Sequence, residues 1–163
     1  LSYNFVVNKI LLNKNISGVY KHKVLIRKIP LVRGFDDVFL APHSRNTAVD
    51  EEKIIDSEEL VVLAYSDEVG SLIVMKKDGS QIFVLGHLEY DRLTLDNEYK
   101  RDMGKGLNPD IPVNYYTDSD PTIRPYLTWR ATSNCLYSNW LNYYVYQATP
   151  YDLNDLERLR KAK

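Results

Sequence analysis

Gly86-His87-Leu88-Glu89-Tyr90-Asp91 places an imidazole and a carboxylate two residues apart, directly after the apolar run Ile82-Phe83-Val84-Leu85. In open α/β sheets, sites form beyond the carboxyl ends of strands. A histidine there stands at the rim of the site, and a glutamate two residues on curls back to accept a hydrogen bond from the ring. Such a bond fixes the tautomer and stabilises the imidazolium formed when the ring takes a proton. An imidazole, with an ordinary pKa of about 6.5, both takes and returns a proton at neutral pH. The pattern is a base with its orienting partner, and it lacks only a nucleophile. On spacing alone, a plain surface turn is the better reading.

Three other features carry reactive or binding groups. Ala41-Pro42-His43-Ser44-Arg45 is a compact polar segment after a short apolar run, and its bland reading is a turn whose side chains serve local backbone groups. Arg101 follows the His-Glu turn on a predicted helix. An arginine fork grips a carboxylate through two parallel hydrogen bonds, whereas a solvated arginine paired with Asp102 or Glu98 contributes little. Cys135, the single cysteine, falls inside a predicted helix and not at a helix N-terminus or strained turn, so it reads as structural. Met103-Gly104-Lys105-Gly106 matches no phosphate-loop spacing. His22, His43 and His87 show no metal-ligand spacing, so no metal is expected.

These groups need elements to hold them. The first dozen residues suit a helix end or a strand. Gly18 to Ile26 alternates as a half-exposed strand that Pro30 breaks. Val38-Phe39-Leu40 is a short strand ending at Pro42. Leu60 to Tyr65 and Gly70 to Met75 are β-branched strands, and Asp78-Gly79 signals a hairpin into a return strand from Gln81 to Leu85. The continuous apolar character of Ile82 to Leu85 predicts a central strand buried on both faces. A helix follows from Thr94, its N-cap, to Met103, stopped by Gly104 and Gly106. Asn108 to Pro125 reads as a long ordered loop. A second helix runs from Thr128 to Gln147 with an apolar face at Leu136, Trp140 and Tyr144. A short charged helix after Asp152 closes the chain. Strands mixed with helices indicate an α/β fold.

Composition bounds the partners. The chain has 163 residues, is 44% hydrophobic and 26% charged, and carries a formal net charge of -1. That charge offers no field to attract nucleic acid or an anionic membrane. One cysteine excludes an intrachain disulfide and fits a reducing cytoplasm. No run is long enough to span a bilayer, and the N-terminus resembles no signal peptide. Leu1 stands where an initiator methionine would, a hint that it is not the natural start.

Arg33-Gly34-Phe35-Asp36-Asp37, Phe39-Leu40-Ala41-Pro42-His43-Ser44-Arg45 and the Gly86 to Asp91 segment together resemble the homoserine O-acyltransferases of the amidotransferase-like type. Glu98-Tyr99-Lys100-Arg101-Asp102, Trp129-Arg130, Ser138 to Gln147 and Thr149 to Leu153 extend the resemblance in order along nearly the whole chain. It implies that residues 1–163 are the C-terminal portion of one class I glutamine amidotransferase-like, flavodoxin-like three-layer domain. It also implies a Cys-His-Glu triad in which His87 and Glu89 are the last two members. Arg101 matches the arginine that holds the homoserine carboxylate, and Ser44 matches a substrate-site serine. The implied partners are homoserine and acyl-coenzyme A, the latter a co-substrate and not a cofactor. The implied product is an O-acylhomoserine for methionine synthesis in the cytoplasm, with acetyl favoured over succinyl. The resemblance leaves room for a homodimer.

The sequence departs from that pattern in three places. The nucleophile elbow would fall just before Leu1, so the 163-residue chain is expected to be inactive alone. Asn15 stands where a substrate-binding lysine is usual, with Lys14 one step earlier. Lys21 replaces a glutamate before His22. Two other readings stay open: a catalytically incomplete half-protein, and a glutamine amidotransferase-like hydrolase.

Overall fold

The structure, a computed structural model, describes residues 1–149. The closing helix expected after Asp152 lies outside the described residues. Alternating and β-branched segments form one five-stranded sheet of β1 (Lys9–Val24), β2 (Val38–Val49), β3 (Leu60–Ser66), β4 (Gly70–Lys76) and β5 (Ile82–Val84). Their order is β2-β1-β3-β4-β5, and each neighbouring pair is antiparallel. Helices α1 (Ser2–Phe5), α2 (Glu51–Ile55), α3 (Thr94–Gly104), α4 (Arg130–Trp140) and α5 (Tyr146–Ala148) accompany it, giving the mixed α/β composition read from the sequence. A π turn, Leu141–Val145, joins α4 to α5, so the predicted second helix is one ribbon with a widened turn.

Two expectations about strands are corrected. β2 does not stop at Pro42 but continues to Val49. Proline is tolerated because β2 is an outer strand whose N–H at that position would point away from the ladder. The Pro42 carbonyl points outward too, where it accepts the His87 N–H at 2.8 Å. The run Ile82 to Leu85 is not a central strand. β5 is the other outer strand among the described residues, and its three residues are half-buried. Ile82 and Val84 pack on the main core and also line an open cleft, while Phe83 packs on a smaller cluster on the other face.

The main core packs Leu31, Leu63, Leu72, Ile73, Leu88, Leu95, Trp129 and Leu136 between the sheet and helices α3 and α4. A smaller cluster of Val7, Ile54, Leu60 and Val74 fills the other face. Trp129 is buried, and its indole N–H donates to the Tyr90 carbonyl at 2.9 Å, which ties the start of α4 to the turn after His87. Cys135 lies within α4 and its thiol donates to the Arg33 carbonyl at 2.9 Å. Asn139, one turn on, donates to the same carbonyl at 2.7 Å. Both contacts dock α4 on the segment before β2.

The long loop is ordered, as expected, because β1 and α3 hold it. Val113 bridges Gly18 in a parallel pair: Val19 N–H donates to Val113 O at 2.8 Å and Val113 N–H to Ser17 O at 2.9 Å. Gly18 has φ 149°, and a Cβ there would sit 2.4 Å from Val113 O. Only glycine allows that approach. We expect Gly18→Ala to separate the loop from β1 and cost about 2–4 kcal/mol, read as a fall in Tm of roughly 5–15 °C. An unchanged Tm would show that the stitch is dispensable.

The loop also replaces the expected cap of α3. The N-cap position is Leu93, not Thr94, and no side chain caps it. The amide a cap would serve, Asp96 N–H, donates instead to the Tyr115 hydroxyl at 3.2 Å. Tyr116 donates to Asp96 Oδ1 at 2.6 Å and Lys100 to Asp96 Oδ2 at 2.8 Å.

Candidate active site

The segment after β5 positions the histidine. Leu85 N–H donates to Leu72 O on β4 at 2.7 Å, and His87 N–H to Pro42 O on β2 at 2.8 Å. Gly86, between them, allows the crossing: a Cβ there would meet Leu72 Cδ1 at 2.6 Å and the His43 ring at 3.0 Å. The turn then closes with Tyr90 N–H on His87 O at 3.1 Å.

His87 Nδ1 lies 2.7 Å from Glu89 Oε1. A carboxylate accepts, so Nδ1 carries the proton and Nε2 is the nitrogen left for chemistry. The imidazole stacks on the Tyr90 ring, centroids 4.3 Å apart and planes 17° apart. Both members of the pair are partly exposed, the imidazole at 35% and the carboxylate at 54%. They stand at a surface open to an incoming group.

Tyr90 joins the expected residues. Its hydroxyl donates to Glu98 Oε1 at 2.8 Å, and the Ser44 side chain lies close to the same phenol. Burial, then the Glu98 carboxylate, push the Tyr90 phenol well above its ordinary value, so it stays a neutral donor. The sequence reading named Ser44 and His87 but gave Tyr90 no role. Its signal was its place one turn after His87, which stacks the rings.

Ser44, Glu98, Tyr99 and Asp102 line a polar cleft of about 170 Å³ together with Lys14 and Asn15. Both basic-site candidates sit in a bulge of β1, where the register shifts between Leu11 and Ile16. Lys14 is exposed and paired with Asp110 at 3.0 Å. Arg101 neighbours this cleft on α3, but its fork is taken: Nε and Nη2 donate to the two Asp102 carboxylate oxygens at 2.7 and 3.0 Å. The structure thus gathers His87, Glu89 and Ser44 around Tyr90 and leaves Arg101 at the edge, held by its neighbour. A larger apolar cleft of about 520 Å³ lies elsewhere, between β5 and α4, lined by Ile82, Val84, Leu136, Trp140 and Tyr144.

His43 departs from its expected turn. It lies in β2, fully buried, on the opposite side of the strand from Ser44 and against fully buried His22 of β1. Burial first, and then the Arg45 charge, hold His22 down to about 4. Burial, His22, Arg45 and His87 hold His43 down to about 2. Among the described residues, no group of three His, Cys, Asp or Glu side chains could hold a metal, and no helix is long and apolar enough to cross a membrane.

Comparison with known proteins agrees with this fold. The chain is 61% identical over 155 residues to a homoserine O-acetyltransferase of Lachnospira eligens, covering 95% of this chain and 50% of that protein. It is 58% identical over 153 residues to a homoserine O-acetyltransferase of Lachnoclostridium phytofermentans, covering 94% and 51%. The chain therefore spans about half the length of the curated relatives it matches. Its fold resembles that of a glutamine amidotransferase from Thermotoga maritima, with a TM-score of 0.53 at 13% identity, over 83% of this chain and 54% of that one. That likeness makes the fold class I glutamine amidotransferase-like. The sequence profile of the homoserine O-succinyltransferase family matches residues 1–151, and the chain belongs to that family.

Proposed function

We propose that the complete protein transfers an acyl group from acyl-coenzyme A to the hydroxyl of homoserine, with His87 as general base and Glu89 as its orienting carboxylate. The observation that carries this reading is the His87–Glu89 hydrogen bond of 2.7 Å at Nδ1, made by a partly exposed ring stacked on Tyr90. A cysteine from outside these residues gives its thiol proton to His87 Nε2, and the thiolate attacks the thioester carbonyl. The carbon–sulfur bond to coenzyme A breaks, and the leaving thiolate takes a proton from the His87 imidazolium. The homoserine hydroxyl then gives its proton to His87 Nε2 as its oxygen attacks the acyl-enzyme, and the cysteine thiolate is released. Glu89 stabilises the imidazolium in both halves. Relatives named as O-acetyltransferases favour an acetyl donor.

Arg101 is proposed to hold the homoserine carboxylate by exchanging Asp102 for it, since both offer the fork two oxygens. Arg101→Ala should lower kcat/KM for homoserine by about 10–100-fold and leave acyl-enzyme formation within about twofold. Unchanged homoserine kinetics would remove Arg101 from the site. The function itself is tested by coenzyme A release from acetyl- and succinyl-coenzyme A with and without homoserine. Release that ignores homoserine, or ammonia formed from glutamine instead, would defeat the proposal.

A further inference from the structure

Two histidines that the proposed chemistry does not use lie directly behind the His87 turn. His22 and His43 are fully buried. Their rings are 13° from parallel with centroids 5.1 Å apart. Their Nε2 atoms are 3.1 Å apart. Two ring nitrogens at that distance share one proton, and the surroundings decide whose it is. The Tyr20 carbonyl lies 3.0 Å from His22 Nδ1. A carbonyl only accepts, so His22 carries its proton on Nδ1. Its Nε2 is then a lone pair, and His43 must donate from Nε2. His43 Nδ1 is left bare, and it has no partner among the described residues. Reversing this order would set a lone pair against the Tyr20 carbonyl inside the core, where an unsatisfied group costs about 1–3 kcal/mol.

The pair is boxed in. Tyr20 packs edge-on to His43, and Phe39 stacks on His22. The charged or titratable groups acting on it are Arg45 and His87. Its contact with the site is direct: the Cε1 and Nε2 atoms of His43 form the floor on which Gly86 lies. The residues flanking His43 complete the arrangement, since Pro42 O receives the His87 N–H and Ser44 lies close to the Tyr90 phenol.

We propose that His22 and His43 form a tautomer-fixed positioning pair that sets the Gly86–His87 turn for proton transfer at His87. The proposal rests on His87 being the base. With one allowed tautomer and one ring orientation, His43 gives the turn a single resting place, and a small displacement of a reacting group costs rate far more than binding.

The experiment uses the complete protein. Nitrogen-15 NMR of labelled histidines at pH 7 should show His22 protonated on Nδ1 and His43 on Nε2, both neutral. His43→Leu removes the donor and should lower kcat at least about tenfold with KM for homoserine nearly unchanged. His43→Gln places an amide N–H where Nε2 stood and should recover most of that loss. The proposal is overturned if His43 carries its proton on Nδ1, if His43→Leu turns over normally, or if the Leu and Gln variants lose kcat equally. Where His43→Leu fails to fold, the NMR assignment and the His43→Gln kinetics still decide. Retained turnover in His87→Ala would sink the base assignment while the tautomers stood, so the two failures are distinguishable.

Discussion

His87→Ala in the complete protein should lower kcat by at least about 10³-fold, with little change in Tm. The size follows from two roles held by one ring. In the proposed reaction the imidazole removes the proton from the attacking hydroxyl, and its protonated form serves the leaving thiolate. Without it, water must do both, and no other described titratable side chain stacks on Tyr90 beside Ser44. The small effect on stability follows from exposure, since the ring lies 35% open to solvent and fills no core space. Steady-state rates with saturating acyl donor and homoserine check the first part, and thermal melts the second. Turnover within about tenfold of the parent would place the base elsewhere.

Acid should destabilise the protein steeply through the buried histidines. Both have folded pKa values below the ordinary 6.5, at about 4 for His22 and about 2 for His43. Below pH 6.5 the unfolded chain therefore binds protons that the folded chain refuses. Stability is fully present above 6.5 and is lost as pH falls, until each folded value is reached. Each histidine removes up to about 1.4 kcal/mol per pH unit, so two units of acidification cost on the order of 3–5 kcal/mol. Urea melts at pH 7, 5.5 and 4.5 measure this. The double variant His22→Gln, His43→Gln should flatten the dependence over that range. A parent whose stability is level from pH 6.5 to 4.5 would show that the pair opens to water.

Much of the local structure was legible. Asp78-Gly79 between β-branched runs fixed the β4–β5 hairpin, and the periodicity after Thr94 gave α3 nearly to the residue. Glu89 two residues after His87 is a local relation, so their contact could be foreseen. What spacing could not carry is anything set by pairing across the sheet. The meeting of His22 and His43 depends on the β1–β2 register, in which His43 faces Gly18 and His22 faces Phe39. The continuation of β2 through Pro42 depends on that strand being an outer one, a fact of topology. The expected cap of α3 is absent because Tyr115, some twenty residues away in the loop, serves the amide that the Thr94 side chain was expected to serve.

The amide of His87 hangs from β2 while the amide two residues before it hangs from β4. The reactive ring is thus strung between two strands that are not neighbours in the sheet. Its position therefore depends on how far that sheet bends. A substitution deep beneath the sheet that lets it flatten by a few tenths of an ångström would draw the ring away from its target with every active-site side chain intact. On the proposed chemistry, curvature in this fold is itself a determinant of rate, and turnover can be tuned through residues that never meet a substrate.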